Sequence, residues 1–451
     1  MKKISGKFKL FLYGMSGLGM NMLNLIVGSY LCDALMTEGF DVNIENWTYM
    51  NKTLVVAGLW SVMIAIGKVL DGLIDIPFAG WTDSLKSKWG KRRPAILAGL
   101  VPAVIAYVLF LIPLQDREDS LVNTLWFGFL LCAFYAFYTL TMVTYYATFS
   151  EIVDNDKDRV ALSNYKTVFD VVYYVLGYAL IPAFVGSMNI RIIALIFLPL
   201  VLTMLIPLFM IKERSTLDKD VATYSKEDEY EREETVGILE SLKFAVKNKS
   251  FIVWMGVYFA LQFSTQLFLN GQNVIYSGYV QLQGFQITMV MACAFAPVPL
   301  TLLLYNRLVR KHGIRVGYIF SLSAYMAAML VLMFSSKALI PNDTARIIFA
   351  CFGGVLSSFG TGCFFSINYT IPSTLAEIEK KETGISHPAM YFAIQGLTGA
   401  LASALSTGII WVNLKDNDAV WLAPIIVIAG SIVSLVLTKF MDKKTRDIGK
   451  A

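Results

Sequence analysis

Charged and histidine side chains are scarce in this sequence. Of its 451 residues, 16% are charged and 56% are hydrophobic, and the mean hydropathy is +0.59. A soluble protein carries about a quarter charged residues, so this composition excludes an ordinary soluble domain. The two histidines, His312 and His387, fall near predicted loops and are too few for a histidine metal cluster. The net charge of +5 does not indicate a nucleic-acid partner.

Paired cysteines and catalytic motifs are also lacking. The five cysteines are scattered and form no CxxC pair, so we interpret them as small packing residues. No GxSxG or HExxH motif is present, and we expect no appended soluble domain. A membrane enzyme or sensor is therefore disfavoured, and we expect no catalytic residue and no resident cofactor.

Long apolar runs dominate instead. Runs of about 20 residues are long enough to cross a bilayer as helices. The sequence therefore predicts an all-α membrane protein with twelve transmembrane helices. The predicted segments are 8–35, 53–78, 95–114, 123–150, 167–187, 191–211, 251–272, 283–305, 316–337, 346–373, 389–412 and 420–440.

A single long polar insert separates the sixth and seventh segments. Residues 212–236 carry a dense run of acids and bases, which is typical of a solvated linker. We predict a six-helix bundle at 1–211, a cytoplasmic linker at 212–236, and a second six-helix bundle at 237–451. Six plus six segments indicate two pseudo-symmetric halves around a midplane site, as in alternating-access transporters.

Basic residues are concentrated on one side of the predicted membrane. Lysine and arginine accumulate in cytoplasmic loops, and here they flank both termini and fill every second loop. We therefore expect a multi-pass protein of the cell (inner or plasma) membrane with both termini cytoplasmic. The basic loop residues are Lys86, Lys88, Lys91, Arg92, Arg93, Arg307, Arg310, Lys311, Arg315, Lys380 and Lys381.

Three charged residues lie inside the second apolar segment. Helical spacing places Lys68, Asp71 and Asp75 along one face. Charge at membrane depth is expensive, so it survives where it pairs, lines a cavity or holds an ion. Either Lys68 and Asp71 form a pair that joins two helices, or the two carboxylates bind a coupling cation. The first reading leaves Asp75 without a partner, and we favour the second.

Several blocks of the sequence resemble one transporter family. Gly80-Trp81-Thr82-Asp83 through Gly90-Lys91-Arg92-Arg93 is similar to the Gly-x-x-x-Asp…Gly-Arg-Lys/Arg loop of the major facilitator superfamily. Tyr13–Asn21, Tyr145–Lys166 and Leu375–Gln395 resemble blocks of the glycoside–pentoside–hexuronide:cation symporter family, which includes the melibiose permease. The resemblance implies the major facilitator fold and symport by alternating access.

The resemblance also implies a cation site. It falls on Asp71 and Asp75, with Thr139 as a hydroxyl ligand. Two carboxylates and a hydroxyl suit a hard cation such as Na⁺, and a carboxylate pair can instead share a proton. Because this chain has Asp75-Ile76-Pro77 where the family has Asp-Pro, both H⁺ and Na⁺ stay open as the coupling ion.

Substrate-binding positions carry over less completely. Met20 and Met142 replace charged residues of the melibiose permease, whereas aromatic positions are better preserved. Lys166 and Asp170 could simply pair, Asn21 could be a packing amide, and Tyr138 and Tyr146 could face lipid. The candidate substrate-binding residues are Asn21, Tyr138, Tyr146, Lys166, Thr167, Asp170, Asn368 and Gln395. A second set, the inner-gate residues, comprises Lys68, Asp83, Arg92, Arg93, Glu151 and Arg159.

Helix seven carries too many polar side chains to face lipid. Between Gln262 and Asn273 it holds seven of them, which indicates a cavity-lining helix or an extracellular gate. Taken together, we expect a monomeric symporter in a lipid bilayer that couples H⁺ or Na⁺ to a sugar or glycoside. The alternative is a transporter of the same fold that moves an amphiphilic, lipid-like or other small organic solute.

Overall fold

The computed structural model describes residues 4, 6–153, 156–213, 215, 247–383, 388–448 and 450. Within these residues, twelve helical segments are long and apolar enough to cross a membrane, and no strand occurs. The predicted all-α architecture with twelve transmembrane helices is thus confirmed. In chain order they are α1 (Lys7–Ala34), α2 (Ala57–Asp75), α3 (Arg92–Phe110), α4 (Leu121–Phe149), α5 (Val168–Val185), α6 (Ile190–Met210), α7 (Lys249–Tyr279), α8 (Gly284–His312), α9 (Ile314–Met333), α10 (Asp343–Phe364), α11 (Ile394–Asp416) and α12 (Val420–Phe440).

Several helices continue beyond their apolar spans. The helix of α2 covers Ala57–Ser84, that of α4 covers Leu121–Ile152, and that of α10 covers Asp343–Thr383. The helix leading into α5 begins at Asp156, within Asp156–Val175. The predicted segment boundaries at residues 150 and 167 agree with the apolar spans, which end at Phe149 and begin at Val168, although the helices themselves extend further. Hydropathy marks the residues suited to hydrocarbon, whereas backbone hydrogen bonding continues into polar sequence.

Four membrane helices contain a π-helical turn. These turns are Val27–Leu31 in α1, Leu176–Leu180 in α5, Ile275–Tyr279 in α7 and Ala404–Trp411 in α11. A π turn inserts one residue into the helical ladder and is frequent at functional sites. Two short helices, Ile44–Trp47 and Lys443–Arg446, lie outside the spans.

The chain divides into two compact units. Unit 1 takes its described residues from Met1–Met36, Thr48–Gly177 and Met188–Arg232. Unit 2 takes its described residues from Thr37–Trp47, Tyr178–Ser187 and Glu233–Ala451. Unit 2 therefore includes the loop after α1 and the end of α5 together with α7–α12.

Inside unit 1, small residues and tyrosine hydroxyls hold helices close together. The Tyr107 hydroxyl of α3 donates to the Ala194 carbonyl of α6 at 2.9 Å. Gly19 of α1 lies so near α6 that a Cβ atom there would be 2.0 Å from the carbonyl oxygen of Leu200. Small residues allow such close backbone approach between membrane helices.

Unit 2 has its own buried polar contacts. The Tyr318 hydroxyl of α9 and the Ser434 hydroxyl of α12 are 2.6 Å apart. Ser434 in turn donates to the Val257 carbonyl of α7 at 2.8 Å. One serine therefore joins three helices, which satisfies polar groups that lipid could not.

Replacing Gly19 by alanine tests the close packing of α1 against α6. Overpacking of this kind costs about 1–3 kcal/mol, so we expect Gly19→Ala to lower the melting temperature of the purified protein by several degrees. Gly58→Ala in α2 is the matched control, because a Cβ at Gly58 meets no atom within 4 Å. Equal melting temperatures for the two variants would contradict this packing.

Candidate functional site

The first cluster lies in unit 1, where α2 faces α4. The Thr139 hydroxyl of α4 donates to Oδ1 of Asp71, which is half-buried on α2. Asp75 follows one helical turn later, is exposed, and interacts electrostatically with Asp71. The structure thus brings Thr139 and Asp71 into contact and leaves Asp75 on the same helical face.

Lys68 contacts Tyr135, whereas the sequence had left open an ion pair with Asp71. Its ammonium lies 4.5 Å from the ring centroid of Tyr135, a cation–π contact. No ion pair within 4.0 Å joins Lys68 to Asp71 in the described part of the chain, although the two interact electrostatically. Cation–π contact with Tyr135 therefore holds Lys68 beside the carboxylates without neutralising either one directly.

Free oxygens remain at this cluster. Among the described residues, Asp75 has no hydrogen-bond or ion-pair partner, and Asp71 uses one of its two oxygens. No group of three or more His, Cys, Asp or Glu residues that could hold a metal ion occurs in the part of the chain that is described. Two carboxylates and one hydroxyl instead suit a proton or a monovalent hard cation.

A second network lies on α1, α4 and α5. The Tyr138 hydroxyl donates to Oδ1 of Asn21 at 3.0 Å, and Nδ2 of Asn21 donates to Oδ1 of Asp170 at 3.3 Å. Lys166 donates its ammonium to Oδ2 of Asp170, and the two form an ion pair. Asn21 therefore connects three helices, and the Lys166–Asp170 pair is one part of a longer chain of bonds.

Aromatic rings border this second network. The Lys166 ammonium lies 5.1 Å from the ring centroid of Tyr146, whose side chain is 38% exposed. The hydroxyl of Tyr145, which is fully buried, donates to the carbonyl of Tyr13 at 2.5 Å. Sequence reasoning missed Tyr145, because a tyrosine in an apolar helix gives no signal of which atom it will bond. Five of the candidate substrate-binding residues are brought together here.

The two networks meet on α4. Thr139 contacts Asp71, and Tyr138, the preceding residue, contacts Asn21. Tyr138 also interacts electrostatically with both Asp71 and Asp170. A small displacement of this part of α4 therefore acts on both networks at once.

Two further candidates lie in unit 2. The Trp254 indole of α7 donates to Oε1 of Gln395 at 2.8 Å, and Nε2 of Gln395 donates to the Asn368 carbonyl at 2.7 Å. Gln395 thus connects α7 to the helix of α10. Oδ1 of Asn368 has no hydrogen-bond partner among the described residues.

The inner-gate residues are only partly described. The side chains of Asp83, Glu151 and Arg159, and that of the substrate candidate Thr167, lie outside the described part of the structure. Arg93 is half-buried at the start of α3. Arg92 is 4% exposed, and its backbone N–H donates to Oε2 of Glu213 at 2.8 Å.

Glu213 was not predicted to bond inside a helical unit. It occupies the second position of the predicted linker, yet it binds the N-terminus of α3, where a carboxylate is favoured. Gly90 allows this approach, because its φ is +82° and a Cβ there would lie 2.3 Å from the Glu213 Cβ. The N-terminus of α3 is therefore bonded to the residues that follow α6.

Solved structures with this fold are membrane transporters. The chain aligns over 97% of its length, and 99% of the other chain, with the nucleoside transporter NupG at a TM-score of 0.65 and 12% identity. A bacterial homolog of the human lysosomal transporter Spinster, inward-facing and unoccupied, gives 0.59 at 12% identity, covering 98% of this chain and 96% of that one. A POT family transporter in complex with 5-aminolevulinic acid gives 0.59 at 15%, covering 96% and 95%. These likenesses show the major facilitator fold.

Sequence comparisons identify the family of this chain. It is 28% identical over 120 residues to the uncharacterized symporter sll1374 of Synechocystis sp., an alignment that covers 26% of this chain and 22% of that relative. The family model described as "MFS/sugar transport protein" matches residues 12–416. Since that match covers nearly the whole chain, the protein is a multi-pass membrane protein that belongs to the MFS/sugar transport protein family.

Proposed function

We propose that this protein is a symporter that couples the inward movement of H⁺ or Na⁺ to uptake of a sugar or glycoside by alternating access. It would lie in the cell membrane with both termini and the central linker on the cytoplasmic side. The observation that carries the proposal is the adjacency on α4 of Thr139, bonded to Asp71, and Tyr138, bonded to Asn21.

The acidic cluster supplies the coupling site in this proposal. A carboxylate in an apolar helix is expensive unless an ion or proton neutralises it. The Thr139 hydroxyl keeps lone pairs for a cation while its proton points to Asp71. Asp75, exposed one turn away, would exchange the ion with water and then share it with Asp71.

The network around Asn21 supplies the solute site. It combines an amide, a tyrosine hydroxyl and a charged pair beside the partly exposed ring of Tyr146. Sugars present hydroxyls to such polar groups and C–H surfaces to aromatic rings. The family description, a sugar transport protein, and the nucleoside specificity of NupG both favour a hydroxylated solute.

Coupling follows if each ligand stabilises the same position of α4. Ion binding at Asp71 fixes Thr139, and Thr139 fixes the neighbouring Tyr138 in its bond to Asn21. Each ligand then raises the affinity for the other by the same factor, as linkage requires.

An amphiphilic solute is the second candidate. Met20 and Met142, which stand at positions charged in the melibiose permease, are both buried inside unit 1. Their thioether side chains make this region less polar than in a galactoside transporter. Competition of uptake by sugars and by lysolipids separates the two candidates.

Asp75→Asn tests the coupling role. The asparagine side chain has no carboxylate to bind the coupling ion. We therefore expect accumulation of a labelled glycoside in proteoliposomes to fall to the level reached without an ion gradient. Exchange of solute across the membrane should persist. Asp116→Asn, in an exposed loop pair with Lys52, is the control and should accumulate solute normally. Concentrative uptake by Asp75→Asn would overturn the mechanism.

Lys166→Met tests the solute network separately from folding. It leaves Asp170 without its counter-charge, and breaking a largely buried pair costs up to about 3 kcal/mol. We therefore expect a lower melting temperature for Lys166→Met and substantial recovery in Lys166→Met/Asp170→Asn. Solute-induced stabilisation should be lost in both variants.

Lys52→Met removes the exposed loop pair and is the matched control for this series. It should change neither the melting temperature nor the solute response appreciably, because exposed ion pairs contribute little. A double variant that recovers stability and still binds solute would show that the Lys166–Asp170 pair is only structural.

A further inference from the structure

The second half of α8 packs inside unit 2 by one face only. It is a regular α-helix over Val298–His312. The Thr301 hydroxyl donates to the Ser358 carbonyl of α10 at 3.0 Å, and a Cβ on Gly317 of α9 would lie 3.0 Å from the Tyr305 ring. These contacts hold the buried face of α8 against α9 and α10.

The opposite face carries leucines followed by cations in a single stripe. Its members lie at positions i, i+3, i+4, i+7, i+10 and i+11, and all are exposed: Leu300, Leu303, Leu304, Arg307, Arg310 and Lys311. At about 100° per residue, this spacing places all six within about 120° of the helix circumference. The stripe is therefore apolar over its first turns and cationic over its last.

An open groove follows this stripe. It measures about 850 Å³, and its lining consists of the six stripe residues and Asn306. Pockets that hold a ligand measure about 300–1,000 Å³, so the groove has room for a polar group and part of an apolar chain. The three leucines are 68%, 67% and 46% exposed, which leaves a large apolar surface for that chain.

The three cations of the stripe have no counter-charge in the described part of the chain. None of Arg307, Arg310 and Lys311 forms a salt bridge there, and the described lining of the groove contains no acidic side chain. Basic residues are common in cytoplasmic loops and are favoured at helix C-termini. Neither rule requires them to share a face with exposed leucines, and His312, which is exposed and ends the helix, lies off the stripe.

The order of side chains along the stripe matches a lipid with a negative headgroup. Leucines of a membrane span contact acyl chains, whereas cations at its end lie at headgroup level, where each adds attraction to anionic lipid. Each guanidinium can also donate paired N–H groups to phosphate oxygens. A soluble anion would leave the leucines uncovered, and a zwitterionic lipid would leave the positive charge uncompensated.

We propose that this face of α8 is a binding site for one anionic phospholipid of the cytoplasmic leaflet. Arg307, Arg310 and Lys311 hold the headgroup phosphate, and the leucines hold the upper part of the acyl chains. The inference goes beyond the proposed symport and does not depend on which solute or ion is carried. It uses only the orientation that places the end of α8 on the cytoplasmic side.

Lipid titration of the full-length purified protein in detergent, followed by native mass spectrometry, tests the site. The probes are dioleoylphosphatidylglycerol and dioleoylphosphatidylcholine, which share their acyl chains. Glycerol phosphate, which has the phosphate without a chain, is added as a competitor. The test variant is Arg307→Gln/Arg310→Gln/Lys311→Gln.

The matched control removes the same charge from exposed lysines outside the groove. It is the variant Lys86→Gln/Lys88→Gln/Lys443→Gln. A second variant, Arg307→Lys/Arg310→Lys, keeps the charge of the stripe.

We expect the wild type to bind the first phosphatidylglycerol at least roughly 10-fold more tightly than phosphatidylcholine, because the three cations act together on one headgroup. The test variant should bind the two lipids within about twofold of each other, whereas the control and the charge-keeping variant should retain the preference. The melting temperature of the test variant without lipid should stay close to that of wild type, since exposed substitutions change stability little.

Equal binding of the two lipids by the wild type would overturn the site. An equal loss of preference in the test variant and the control would also overturn it, because net charge alone would then attract the lipid. Displacement of phosphatidylglycerol by an equimolar amount of glycerol phosphate would show that the leucines contribute nothing, and would exclude a lipid as the occupant. Gradient-driven uptake in liposomes of phosphatidylcholine alone would in each case leave the proposed symport standing.

Discussion

The hydrogen bond from Thr139 to Asp71 is the constraint on which the first unit depends. It places a hydroxyl against a carboxylate in a helix that hydrocarbon would otherwise surround. Charge at such depth costs several kcal/mol unless it is compensated. Lys68 is turned to the ring of Tyr135 and gives no ion pair with Asp71, so the acidic cluster keeps oxygens that a mobile cation or a proton can use.

Helix α4 carries one polar contact of each network. Tyr138 and Thr139 project from consecutive positions to different neighbours, α1 and α2. A helix is stiff along its axis, so α4 cannot shift one contact without the other. Coupling between ion and solute therefore needs no long pathway through the protein. A shift of one stiff element with two polar contacts is sufficient, provided that both ligands favour the same position.

Composition and run length were enough to predict the twelve helices, since the bilayer demands about 20 apolar residues per crossing. Residue types and family resemblance also selected Asp71 and Thr139, which bond to each other, and Asn21 and Asp170, which form a second bonded pair. The sequence could not show which hydrogen-bond partner each of these side chains would have. Gln395 stays a predicted solute ligand, and nothing in the sequence indicated that its amide would also accept from the Trp254 indole and donate to the Asn368 carbonyl.

The π turns lie in helices that also carry polar site residues, and their positions repeat along the chain. They occur in α1 and α5, the first and fifth of six helices, and again in α7 and α11, the first and fifth of the next six. A π turn displaces carbonyls from the regular hydrogen-bond ladder of the helix. In unit 1 the Tyr30 hydroxyl, in the π turn of α1, donates to the Gly177 carbonyl, in the π turn of α5, at 2.7 Å. In unit 2, Trp411 of the α11 turn packs so near α7 that a Cβ on Gly271 would lie 2.7 Å from its ring. In each set of six, the π turn of the fifth helix thus contacts the first helix, as expected of two pseudo-symmetric halves.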